Sequence, residues 1–238
     1  MQTKPALEIQ FRSSLLVERQ PAQAGASLNL PNIPVLSETL LVLDLMVQQR
    51  SADLREVARL VLGDVGATLQ ILRLAGREYG IGEGRPERIE DCISDLGLQP
   101  CLEAMGAQTV SRDIAHQAIA EFWAHSREIA EYSRLVAEEI PDVNPDEAYL
   151  VGLLHALGLL PALLGWRDAV AAGGALAGLM LAKRWALPHC VLDFFTETHT
   201  TGYPTRWSEI VRKAHHRANK SSVHCGFGGL RPYLYWRG

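Results

Sequence analysis

The chain has 238 residues, enough to bury a sizeable core as one large domain or two small ones. Hydrophobic residues make up 47% and charged residues 21%, with a formal net charge of −4. This balance is ordinary for a globular protein and excludes a chain built globally for nucleic acid or an anionic surface.

The charge is unevenly spread. Residues 203–238 carry seven Lys/Arg (Arg206, Arg212, Lys213, Arg217, Lys220, Arg231, Arg237) against the single acid Glu209, leaving about −10 on the remainder. Such a segment suits a solvated face, or contact with phosphates or an acidic partner. Cys92, Cys101, Cys190 and Cys225 form no CxxC and no close pair, so they read as reduced thiols of a cytoplasmic protein. Met1–Gln20 mixes charge throughout and has no basic-then-apolar leader pattern.

In chain order, residues 1–27 read as a poorly structured lead-in. Leu30-Pro31-Asn32-Ile33-Pro34 is a rigid extended segment before a helix over Ser37–Gln49. Asp53 and Glu56 form a capping-box pattern that opens a helix over Leu54–Leu62. Gly63-Asp64-Val65-Gly66 breaks it, and Ala67–Ala75 restarts with Leu69, Ile71 and Leu72 as its core set. After the loop Gly80–Pro86, helices are expected near Ile89–Asp95, ending at Gly97, and over Leu98–Val110. A long amphipathic helix follows over about Ile114–Ile140. Asn144-Pro145-Asp146-Glu147 then starts another, with Asn as N-cap and Pro at the first helical position. Further helices are expected at Ala169–Trp185, Pro188–Thr196 and Trp207–Asn219.

Ala148–Leu164 and Ala169–Ala182 are very apolar, but the first contains His155 and Pro161. The second is shorter than the roughly 20 residues of a membrane span, so both read as buried core helices and no membrane role is expected. No alternating strand pattern of convincing length occurs. The expected fold is therefore all-α: a multi-helix bundle over residues 28–220 in two helical lobes, about 28–110 and 111–220, with an irregular tail at 221–238.

Histidines on separate helices are raw material for a metal centre. A phosphate-ester hydrolase also needs hard carboxylate oxygens and an open position for water. Neither His125, in Phe122-Trp123-Ala124-His125-Ser126, nor His155 has an adjacent carboxylate, and Ala156 follows His155. His215, His216, His224 and Cys225 match no familiar zinc spacing. GxSxG, Walker A and GxGxxG patterns are absent, and Gly80-Ile81-Gly82-Glu83-Gly84 has the wrong spacing. An enzyme reading would use His125, His155 and His199, with Asp193 and Glu197 as carboxylates i,i+4 on one helix.

Five segments together resemble the HDOD domain family. Leu30-Pro31-Asn32-Ile33-Pro34 is similar to its LPxLP segment, and Asp64–Ala75 to its DPxLTxxLLRLAN helix. Ile89–Leu98 is similar to its IxxAIxxLGL segment, Phe122–Ser126 to FWxHS, and Glu147–His155 to EAFxAGLLHDIG. The resemblance covers roughly residues 28–215. It implies an HD-like helical fold related to metal-dependent phosphohydrolases but without their metal site, used in bacterial signal transduction. Departures include Ala156 where Asp is expected and Gly76 where Asn is frequent. His199-Thr200-Thr201-Gly202-Tyr203-Pro204 resembles an HD-GYP signature, with Thr198 and Thr201 standing where that signature has histidine and an acid.

The expectation is a non-catalytic regulatory module acting through protein–protein contacts, with no catalytic, cofactor or metal residue assigned. Partners would be proteins, including those of cyclic-dinucleotide or two-component signalling; nucleic acid is not favoured. The alternative is a divergent metal-dependent phosphohydrolase.

Overall fold

A computed structural model describes residues 33–48, 53–80, 84–106, 114–166, 174–200 and 205–221. Within them are α1 (Ser37–Gln48), α2 (Leu54–Leu62), α3 (Val65–Tyr79), α4 (Ile89–Leu96), α5 (Leu98–Gly106) and α6 (Ile114–Ala137). Then come α7 (Pro145–Leu154), a 3-10 turn (Leu157–Leu159), α8 (Leu160–Leu163), α9 (Gly174–Arg184), α10 (His189–Thr200) and α11 (Arg206–Ser221). No strand occurs among the described residues, and the fold is all-α.

The helix starts follow side-chain capping. Asp53 accepts from Arg55 N ahead of α2, and Asn144 from Asp146 N ahead of α7. α3 begins two residues earlier than the periodicity suggests, because Asp64 is its N-cap and accepts from Ala67 N. α6 stops at Ala137 rather than running to Ile140. Pro141 disfavours helical backbone at the residue before it, and the helix closes with tight bonds from Glu139 N to Val136 O and Ile140 N to Ala137 O. α5 is described to Gly106, so the expected continuation to Val110 lies outside the described residues, as do residues 167–173, the expected tail and the lead-in.

α3 is the interior helix of the first half: Val65–Leu72, Ala75 and Gly76 are all buried. It packs on α2, α4 and α5 and reaches across to α6. Gly66 lies so close to the preceding segment that an added Cβ would overlap the Pro34 carbonyl. Gln70 Nε2 donates to the Ile33 carbonyl at 3.0 Å, and Thr68 Oγ1 to the Val61 carbonyl at 2.8 Å. The Gly66 and Gln70 contacts hold the Ile33–Val35 segment, itself buried, against α3, while the Thr68 bond ties α3 to α2.

α7 plays the same part in the second half. Ala148, Leu150, Val151, Gly152, Leu153 and Leu154 are buried, the apolar surround expected of an interior helix. By length and composition alone Pro145–Leu163 would span a membrane, yet 67% of its most apolar stretch is buried inside the fold. The chain there is also broken into α7, a 3-10 turn and α8. α7 packs on α6, α10 and α11. Its close approach to α6 depends on small residues. An added Cβ at Gly152 would lie 2.5 Å from Ser133 Oγ and 2.8 Å from Ala130 Cα.

Candidate functional site: a three-histidine cluster

Three histidines converge where α6, α7 and α11 pack together. His125 lies midway along α6, His155 is the C-cap of α7, and His215 lies on α11. Their ring centroids are 5.5 Å (His125–His155), 5.2 Å (His125–His215) and 4.9 Å (His155–His215) apart. One nitrogen from each ring can be chosen so that all three lie within 4.8 Å of one another. His155 is buried and the other two are half-buried.

Local structure explains each placement. Gly152, by admitting α6, brings the end of α7 alongside His125. His155 Nδ1 lies 2.7 Å from the Gly152 carbonyl oxygen. That carbonyl is one of the last four of α7, whose oxygens lack a helical amide partner. A carbonyl can only accept, so Nδ1 carries the proton and Nε2 holds the lone pair. His155 Nε2 is buried with no hydrogen-bond partner, as is His215 Nε2. On α11, Trp207, Ile210, Val211, Ala214 and Ala218 are buried, and His215 sits on the edge of that face while His216 is exposed.

Burial holds all three rings less basic than usual. His155 is pushed well below the ordinary histidine value by burial, then by His215 and His125. Burial, then His125, brings His215 down to about 4. His125 is lowered by burial and partly restored by Glu128. The cluster is thus neutral imidazole at physiological pH, the ligating form.

The sequence pairing of His125 with His155 holds, but the third member is His215 and not His199. His199 is exposed on α10, and neither it nor Asp193 and Glu197 joins the group among the described residues. His216 is likewise apart from the cluster, and His224 and Cys225 lie outside the described residues. Ala156 is buried beside His155 and supplies no carboxylate. The signal for His215 was present in the sequence: the spacing Trp207, Val211, Ala214, Ala218 puts residue 215 beside an inward stripe and residue 216 outside it.

A second concavity, about 470 Å³, lies between α2 and α4 on one side and α6 and α7 on the other. Its walls carry Arg59, Arg88 and Arg134 with Glu87, Glu131 and Glu147. Arg88 pairs with Glu90 and Asp146, and Arg134 with Glu131, so much of this charge is internally matched.

The family model for the HDOD domain matches residues 33–177. No curated protein matches the chain. A structure of the MmoQ response regulator from Methylococcus capsulatus str. Bath aligns with a TM-score of 0.63 at 20% identity, over 79% of this chain and 87% of that one. A second structure, of a fragment of the same regulator, aligns with a TM-score of 0.61 at 21% identity, over 81% and 87%. At such identities the likeness is one of fold. The family match spans more than half of the sequence and contains Asp64, Trp123, His125 and His155: the chain belongs to the HDOD domain family.

Proposed function

We propose that this chain is a non-catalytic regulatory module of bacterial signal transduction that works in the cytoplasm by binding other proteins, with two-component or cyclic-dinucleotide signalling proteins as its partner class. The observation that carries the reading is an apolar face on α1. Leu41, Val42 and Leu45 are 61%, 42% and 44% exposed, while only Thr39 and Leu43 of that helix are buried. Leu41 and Leu45 stand one turn apart and Val42 lies beside them, so their side chains form one contiguous patch. The family membership, and the response-regulator name of one protein of this fold, support the same class.

The test is proximity labelling in the host cell with the intact chain and with the double variant Leu41→Glu, Leu45→Glu. Protein neighbours that disappear with the variant, while its circular dichroism and unfolding midpoint stay unchanged, support the reading. An identical neighbour set for both forms rejects it.

The convergence of His125 and His155 favours a second reading, a phosphodiester-hydrolysing metal centre. No carboxylate joins the cluster among the described residues, which weighs against the hard-metal chemistry of phosphate esters. Turnover of bis(p-nitrophenyl) phosphate with added manganese, iron or zinc, abolished by His155→Gln, would establish it in place of the first.

A further inference from the structure

The geometry points to a binding site for one late first-row transition-metal dication, zinc above all, formed by His125, His155 and His215, with a fourth position open to water or a small exogenous ligand. This inference is independent of the protein-contact reading.

Three observations converge on it. First, three imidazoles from three different helices meet with donor atoms within 4.8 Å of one another. A tetrahedral ion bound at about 2.0–2.1 Å places its nitrogen ligands about 3.3 Å apart, so small side-chain rotations close the site. Second, the donor set is all nitrogen. Calcium, magnesium and manganese prefer oxygen, whereas zinc, copper, nickel and cobalt accept imidazole readily. Third, His155 already has the arrangement of a metal-bound histidine. Its Nδ1–H donates to a backbone carbonyl, fixing the ring and leaving Nε2 as the lone-pair atom, buried and without a hydrogen-bond partner.

Burying neutral imidazole nitrogens without partners is unfavourable. A bound dication would satisfy the Nε2 lone pairs of His155 and His215 and cross-link α6, the end of α7 and α11. Occupancy would therefore set how tightly these helices pack, giving the domain a metal-dependent state.

The test uses untagged full-length protein, stripped with a chelator and titrated with Zn²⁺ and Co²⁺. One equivalent per chain is expected, with the visible d–d absorption of four-coordinate Co²⁺ and a higher thermal midpoint. His155→Gln should weaken binding at least about 100-fold and His215→Gln at least about 10-fold, with loss of the Co²⁺ band, while the exposed neighbour His216→Gln changes neither. Should His155→Gln fail to fold, His215→Gln carries the comparison alone. Stoichiometry below about 0.1 per chain, or one equivalent bound equally by wild type and His215→Gln, would overturn the inference. Neither result bears on the α1 surface, so the two readings fail separately.

Discussion

The indole Nε1 of Trp123 on α6 donates a 2.9 Å hydrogen bond to Asp64 Oδ1 at the start of α3, across 59 residues of sequence. The same fully buried carboxylate accepts from Ala67 N at 3.1 Å and, through Oδ2, from Leu36 N at 2.8 Å. One side chain thereby caps α3, anchors the segment leading into α1, and ties both to α6 two residues before His125. A buried carboxylate is tolerable only when donors surround it, and here three do.

Removing Asp64 leaves those three donors without their acceptor. Asp64→Ala should lower unfolding free energy by about 3–5 kcal/mol, the scale for breaking a buried charged network. Trp123→Phe removes one donor and replaces the buried indole with a smaller aromatic ring, and should cost about 2–3 kcal/mol. Urea denaturation checks both. A loss under about 1 kcal/mol for Asp64→Ala would show that the network contributes little.

The α6–α7 contact makes a sharper prediction. Gly152→Ala places a methyl 2.5 Å from Ser133 Oγ and 2.9 Å from the Ile129 carbonyl oxygen, so the helices must part. It should cost about 1–3 kcal/mol and weaken Co²⁺ binding, because His155 moves away from His125. Gly106→Ala at the end of α5 meets nothing within 4 Å and should be close to neutral. Equal effects of the two substitutions would contradict the packing argument.

The histidine cluster predicts acid sensitivity of the metal-free protein. Burial lowers the folded pKa of His155 and His215 below the unfolded value, so in the window between them only the unfolded state binds the extra proton. Stability must then fall as pH drops into that window. For His215 it runs from about 6.5 down to about 4. Each proton contributes a slope of up to about 1.4 kcal/mol per pH unit, and His215→Gln should flatten the profile. Urea midpoints measured between about pH 7 and pH 5 decide the matter; equal slopes for wild type and variant would contradict it.

Cysteine reactivity offers a separate check on the core. Cys92, Cys101 and Cys190 are buried and unpaired, and burial pushes the Cys92 thiol up to about 12 and Cys101 to about 11. Cys190 is raised further by burial and by Glu147. In native protein at mildly alkaline pH these three should resist iodoacetamide and react only in denaturant, as read residue by residue from peptide masses. Rapid labelling of any of them would show that its surroundings open.

Much of the architecture was legible in the sequence because it is encoded locally. Asp53 and Asn144 cap the helices they precede, Gly97 ends α4 with a φ of 86°, and apolar spacing marks the core faces. Capping and amphipathicity depend on residues within about one turn, so a linear reading recovers them. Asp64 was less legible. By residue pattern it stood in a segment expected to break a helix, the family resemblance alone setting it at the head of one, and its remaining partners, Leu36 and Trp123, are distant in sequence.

The candidate site required the tertiary structure. The sequence alone determined that the fold is all-α, that it resembles the HDOD family, and that His125 and His155 sit on neighbouring core helices with Ala156 in place of a carboxylate. It did not determine which third histidine meets them, because proximity to a signature segment favoured His199. Only the packing of α11 across α6 and α7 decided for His215, since imidazoles can share an ion only when separate helices bring them within a few ångströms. That convergence is set by close contacts such as Gly152 against Ala130, far apart along the chain.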